Sequence, residues 1–376
     1  MPENKRHHYV PRFYLKRFSK DGKSICLFNL KSRKKIESAN LKNQCYKKYF
    51  YGKDRVFEYE LSQIESTVAN ILKHIDQNEL LPPPTSQEYI FLTLFLLIQH
   101  ARTKYATEAL DEMTDKLMKH ILHPEAEENG INLEELKIGL NNVPQFSIAT
   151  IAIIYPIILD LHYKFLINST NVEFITSDNP VVLYNQFMSF RKYGSNTGLA
   201  TKGLQIFFPI DPWKLILLYD SEVYKVGNDK EHTIEIINPK DIHQINKLQI
   251  CSCLENIYFR DPDFNAEALY KSVLPYLRKS KITIDSYPQY EKDNPKSELL
   301  ITSRVDVRTN LKLTFIKIKK SAKKWRNKFI KKKIQPAVVI RDEQRCEDVR
   351  QFADAVKKGV YKAGDFFEFI KNKYNT

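Results

Sequence analysis

Only ten glycines are spread over the 376 residues, too few for a Gly-rich phosphate loop or the turn repeats of a propeller. No apolar run reaches the roughly 20 residues a membrane-spanning helix needs; the longest are Tyr89 to Ile98 and Phe146 to Leu159. The opening MPENKRHHYV is charged and lacks the apolar stretch of a secretion signal. The five cysteines (Cys26, Cys45, Cys251, Cys253, Cys346) contain no CxxC pair, which removes the usual zinc spacing and suits reduced thiols. The expectation is a cytoplasmic protein without a transmembrane segment.

What is present points to a well-cored chain. Hydrophobic residues make up 43% and aromatic ones 12%, a composition that rules against disorder. The length exceeds what one core usually serves, so two domains are expected, a motif-bearing 1–262 and a smaller Lys-rich 263–376. The net charge of +14 is uneven. From Thr309 to Ile334 there are ten lysines and Arg326 with no acid, a basic appendage on a near-neutral body.

Periodicity separates helices from strands. Leu61, Ile64, Val68, Ile71, Leu72 and Ile75 recur at helical spacing, and after LLPPPT, with Ser86 three residues before Tyr89, a second helix is expected to run through Ile90 to Leu122. A loop at His123-Pro124 and a short acidic helix near Glu134 to Leu140 follow. Strands are expected over His162–Asn168, Val172–Tyr184, Gln205–Pro209 and Trp213–Asp220, then a helix over Asn238–Ile257 opened by Asn238-Pro239. Ser286 to Ser297 reads as a linker, and Ser321–Ile334 as a helix with Ala322, Trp325 and Phe329 on one face. Helices early and strands later predict an α+β fold, a helical layer on a mostly antiparallel sheet, with a smaller basic C-terminal domain.

Several polar positions stand out for chemistry. In VEFITSDNPVVLYN (Val172–Asn185) the strand-like flanks hold Asp178 and Asn179 at a turn locked by Pro180, either as presented catalytic groups or as an Asx-type turn serving local backbone. His7-His8 offers a base or a metal ligand near neutral pH. His8 is favoured because Pro11 fixes the chain just after it; the alternative is a histidine tucked under aromatics. Glu58 and Glu65 share a helix face, and Gln99 and Arg102 lie i, i+3 at the end of a buried run. Arg102 either pairs with one of those glutamates or grips a phosphate through its planar fork.

A mixed set of His8, Glu65 and Asp178, with Asn179 orienting, is of the kind that takes a divalent ion, magnesium or manganese, and metal-activated water suits phosphodiester hydrolysis. His7, Gln99, Arg102 and Lys202 are then the substrate contacts. Lys319, Lys320, Lys323, Lys324, Trp325, Arg326 and Lys328 are read as a nucleic-acid surface combining phosphate contacts with stacking. The rival readings of that segment are an anionic membrane surface and a solvated charged helix.

The opening HHYVPRFYLKRF and the internal FITSDNPVVLYN together resemble a bacterial family, domain of unknown function 4238. The matching positions are His7, His8, Val10, Pro11, Phe13, Leu15 and Phe18, Glu58 and Glu65, Gln99 and Arg102, Thr176 to Pro180, Phe207 to Pro212, and Ile245-Asn246. The resemblance spans roughly Lys5 to Arg260. It implies that these polar positions belong together, supplies no activity, and leaves the Lys-rich segment outside. The leading expectation is a metal-dependent nuclease or phosphodiesterase acting on nucleic acid or nucleotides, in a toxin or phage-defence role. A non-catalytic nucleic-acid-binding protein and a protein-interaction module are the alternatives.

Overall fold

Pro11, with φ −62°, lets the chain leave the short strand β1 (Arg6–His8) and turn at once into α1 (Arg12–Lys16). The computed structural model describes residues 5–53, 55–84, 86–192, 194–288, 298–334, 336 and 339–374; the expected linker lies outside the described residues from position 289 onward. A hairpin follows, β2 (Ser24–Asn29) and β3 (Lys34–Asn40), and β4 (Tyr46–Lys48) returns antiparallel to β1.

The long helix α2 (Arg55–Asn78) buries Leu61, Val68, Ile71, Leu72 and Ile75, the face its period marked. Ser86 caps α3 (Gln87–Ala101) by accepting the N–H of Tyr89 at 3.2 Å. The single helix expected here is two. Arg102 and Thr103 interrupt it, and the Thr103 hydroxyl caps α4 (Lys104–Glu128) by accepting the Ala106 N–H at 3.2 Å. Threonine offers the backbone a local alternative to the helical bond, which periodicity does not register. Helix α4 then carries Pro124 inside it, where a loop was expected, because a proline near a helix end removes only one bond from the ladder. The acidic stretch is a single 3₁₀ turn, Leu133–Glu135. Helix α5 (Val143–Ile154) closes the helical layer.

The strands come next: β5 (His162–Asn168), β6 (Thr176–Ser177), β7 (Val182–Tyr184), β8 (Gln205–Asp211), β9 (Lys214–Tyr219), β10 (Tyr224–Val226) and β11 (Thr233–Ile236). Helix α6 (Pro239–Ser252) is capped by Asn238 and ends earlier than expected, leaving β12 (Asn256–Phe259) as a strand. Beyond it lie α7 (Ala266–Val273), β13 (Ile282–Pro288), β14 (Glu298–Arg304), β15 (Ile316–Ile318), α8 (Lys320–Lys332), α9 (Glu343–Lys357) and α10 (Phe366–Tyr374).

A five-stranded sheet of order β11-β5-β9-β8-β7, parallel only between β11 and β5, divides the apolar interior. On one face Phe165, Ile206, Phe208, Ile216 and Leu218 pack with side chains of α1, α2, α3 and α5; on the other Leu166, Phe207, Leu215 and Leu217 pack with α6, α7 and β12. Burial on both faces explains why β8 and β9 read as continuous apolar runs. Each fully buried leucine or phenylalanine there contributes about 1.5–3 kcal/mol. The second sheet, β3-β2-β12-β6, is antiparallel throughout. The fold is α+β, as expected.

Residues beyond 262 contribute to both apolar clusters. Val349, Phe352 and Phe366 join the first, Val307, Leu311 and Ile316 the second, and β15 pairs with β10. Among the described residues, no helix is long and apolar enough to cross a membrane.

Candidate active-site cleft

The short helix α1 is pinned from beneath. Arg17 just past it grips Asp76 of α2 with two bonds of 2.8 Å and donates to the Ile210 carbonyl at 2.6 Å, while the buried Tyr14 hydroxyl donates to the Pro209 carbonyl at 2.6 Å. This fork of charge-assisted bonds fixes α1 against both α2 and β8.

Between β1, α1 and α2 lies a cleft of about 380 Å³, lined by His8, Arg12, Phe13, Tyr51, Glu58 and Glu65 among others. The two histidines point apart, as alternation on a strand requires. His7 is buried. Its Nδ1 accepts the Tyr51 N–H at 3.1 Å, its Nε2 lies 3.3 Å from Glu58, and its ring stacks on Tyr51 at 5.7 Å. It is a positioned scaffold residue. His8 lines the cleft, and its buried Nε2 has no hydrogen-bond partner among the described residues. Burial pulls the His8 imidazole below the usual histidine range, and the charges of Arg12, Arg6 and Arg102 push the same way against a hydrogen bond with the Lys42 backbone. Near neutral pH it is therefore uncharged, the state a general base needs.

Behind the wall, Arg102 is fully buried. Its Nη1 meets Glu65 Oε1 at 2.7 Å, its Nε donates to Gln99 Oε1 at 2.9 Å, and Gln99 Nε2 donates to the Tyr9 carbonyl at 3.0 Å. Glu65, about a quarter exposed, reaches the cleft; Arg102 and Gln99 do not line it. Of the two roles weighed for Arg102, the structure shows the ion pair.

The sequence-level set of His8, Glu65 and Asp178 is not assembled. Asp178 is 2% exposed and lines no part of this cleft. Its carboxylate accepts the backbone N–H groups of Leu254 at 2.8 Å, Glu255 at 2.7 Å and Asn256 at 3.0 Å. Burial raises its pKa while those three donors oppose the rise. Asn179 is equally committed: its Oδ1 accepts from Thr103 Oγ1 at 3.1 Å, and its Nδ2 donates to the Ser252 carbonyl at 3.0 Å and to Ser252 Oγ at 2.9 Å. The Ser177–Pro180 turn thus ties the start of α4, the end of α6 and the entry to β12. Both oxygens that a metal would need are taken by backbone. Among the described residues no group of three or more His, Cys, Asp or Glu side chains is placed to hold a metal ion. Lys202 is also elsewhere, its N–H donating to the Val339 carbonyl at 2.8 Å.

The basic segment divides in the same way. Lys319, Lys320, Lys323, Lys324 and Lys328 are exposed, whereas Trp325 is half-buried and packs on Phe187 and Phe329 at ring distances of 5.4 and 4.4 Å, and Arg326 is half-buried. Lys225 and Lys317, directly opposite in the β10–β15 pair, add like charges to that surface.

Periodicity missed a second recess. Arg12, Phe13, Lys16, Gly22, Lys23 and Lys42 line about 400 Å³, with no Asp or Glu in its wall, and it shares Arg12 and Phe13 with the His8 cleft. None of its four cations forms an ion pair among the described residues. Gly22 adopts φ +68°, and a Cβ there would meet Lys16 Cε at 2.7 Å. The visible signal was Arg12 and Lys16 at i, i+4; that Lys23 and Lys42 join them depends on how the β2–β3 hairpin folds back. No curated protein and no solved structure matches the chain. Residues 6–263 match the family model described as protein of unknown function (DUF4238), and the chain belongs to that family.

Proposed function

We propose that the joined clefts form a phosphodiesterase or nuclease site for nucleic acid or nucleotides. The carrying observation is that His8, uncharged and with an Nε2 that has no partner among the described residues, borders a cleft that shares Arg12 and Phe13 with a recess whose four cations form no ion pair among the described residues. Phosphates run along Arg12, Lys16, Lys23 and Lys42. His8 takes a proton from an attacking water, the new P–O bond forms, and the bond to the leaving oxygen breaks as that oxygen collects a proton from solvent. Glu65, held by Arg102, faces the same cleft and orients the water. A role in toxin action or phage defence is consistent with cleavage of this kind and rests on it.

Incubation of labelled RNA and DNA oligonucleotides with the protein, in Mn²⁺ and in EDTA, tests this reading. Shortened products from the wild type and at least a hundredfold fewer from His8→Gln are expected. Intact oligonucleotides in every condition sink the catalytic claim.

One observation favours a second reading, nucleic-acid binding without catalysis. The exposed lysines of α8 and the opposed Lys225 and Lys317 form a cationic face with no need of the cleft. Retained, salt-sensitive oligonucleotide binding without cleavage is its signature.

A further inference from the structure

A third cavity lies on the far side of the Ser177–Pro180 turn, between α3, α4, β7 and β14. It encloses about 320 Å³, and none of the residues lining it is Asp or Glu. Three nitrogen-bearing side chains converge on it. Arg278 donates to the Ser252 carbonyl at 2.7 Å and lies over the Tyr105 ring at 4.0 Å. Arg304, half-buried, has no ion pair and no hydrogen bond among the described residues. His100 contributes an Nδ1 that is buried and unpartnered.

We infer that this cavity binds a compact phosphomonoester, gripped by Arg304 and Arg278 with its apolar or flat body against Val181, Leu183 and Ile151. Two guanidiniums held in one wall without a carboxylate repel each other, and a dianion is the ligand that relieves this. Thr302 and Ser303 bring hydroxyls to the same wall for the remaining phosphate oxygens. The volume lies at the small end of the range of ligand pockets, and the wall mixes apolar side chains with hydroxyls and nitrogen donors. Burial lowers the pKa of Arg304, with the charge of Arg278 adding to it, and burial together with the charges of Arg304 and Arg278 pushes His100 down to about 3. The site is separate from the His8 cleft and does not depend on its activity.

Isothermal titration of the full chain with inorganic phosphate and with phenyl phosphate provides the test. Phenyl phosphate is expected to bind at least tenfold more tightly than phosphate, and Arg304→Gln to weaken it at least tenfold while leaving the melting temperature unchanged or higher. Should that variant fail to fold, Met113→Trp fills the cavity from α4 and is expected to abolish binding. Absence of phenyl phosphate binding at millimolar concentration overturns the inference. So does binding that is lost with Arg12→Gln and kept with Arg304→Gln, because that ligand sits in the outer cleft.

Discussion

Asp178 shows how the same residue reads differently by sequence and by contact. An acid beside proline at a strand end is where chemistry is often presented, yet here its oxygens organise three consecutive backbone N–H groups from a segment more than 70 residues away. Asp178→Ala leaves those three half-buried donors without their acceptor, so a loss of about 3 kcal/mol is expected in denaturant unfolding, at unchanged slope. An undiminished midpoint would mean the turn is not the tie described. His100 gives a pH signature with a definite sign. Its folded pKa, about 3, lies below the usual 6.5. The stability it contributes is therefore full above about pH 6.5 and lost as pH falls toward 3. His100→Gln should flatten the stability curve across that window relative to wild type; identical slopes would contradict the buried, neutral imidazole.

Elements were legible where one periodicity ruled. The apolar face of α2, the Asn238-Pro239 start of α6 and the Ala322–Trp325–Phe329 face of α8 follow from spacing and capping alone. The break at Arg102–Thr103 did not, because a side-chain cap and a buried ion pair, rather than a glycine or proline, end α3. The stripe on α8 likewise marked an amphipathic face without saying what covers it, and Trp325 turned out to dock on Phe187. Trp325→Ala is accordingly expected to destabilise the protein by about 2–4 kcal/mol, without specifically lowering oligonucleotide affinity. Replacing Lys320, Lys324 and Lys328 by glutamine should leave the unfolding midpoint unchanged. If α8 binds phosphates, the change should also reduce the dependence of log K on log salt by about one unit for each phosphate those lysines neutralise; an unaltered slope assigns the binding to the recess instead.

At the scale of the whole molecule, the structure brings His8 of β1 and Glu65 of α2 to one cleft with the end of α3 behind its wall, and leaves the Ser177–Pro180 turn apart from it. His8 and Glu65 do share a cleft, because β4 holds β1 beside α2 and Arg102 holds Glu65. The Asp178 turn lies outside it, committed to backbone. Four cations scattered from Arg12 to Lys42 become one recess only through the hairpin, a juxtaposition no local pattern records. Cleavage at this site depends on a neutral His8 acting next to that recess. The most direct measurement is the pH–rate profile of oligonucleotide cleavage by wild type and His8→Gln under single-turnover conditions. A depressed His8 pKa requires the wild-type rate to rise with pH and level off below about pH 6.5, with that limb absent in the variant. The same rising limb in both proteins would contradict the role given to His8.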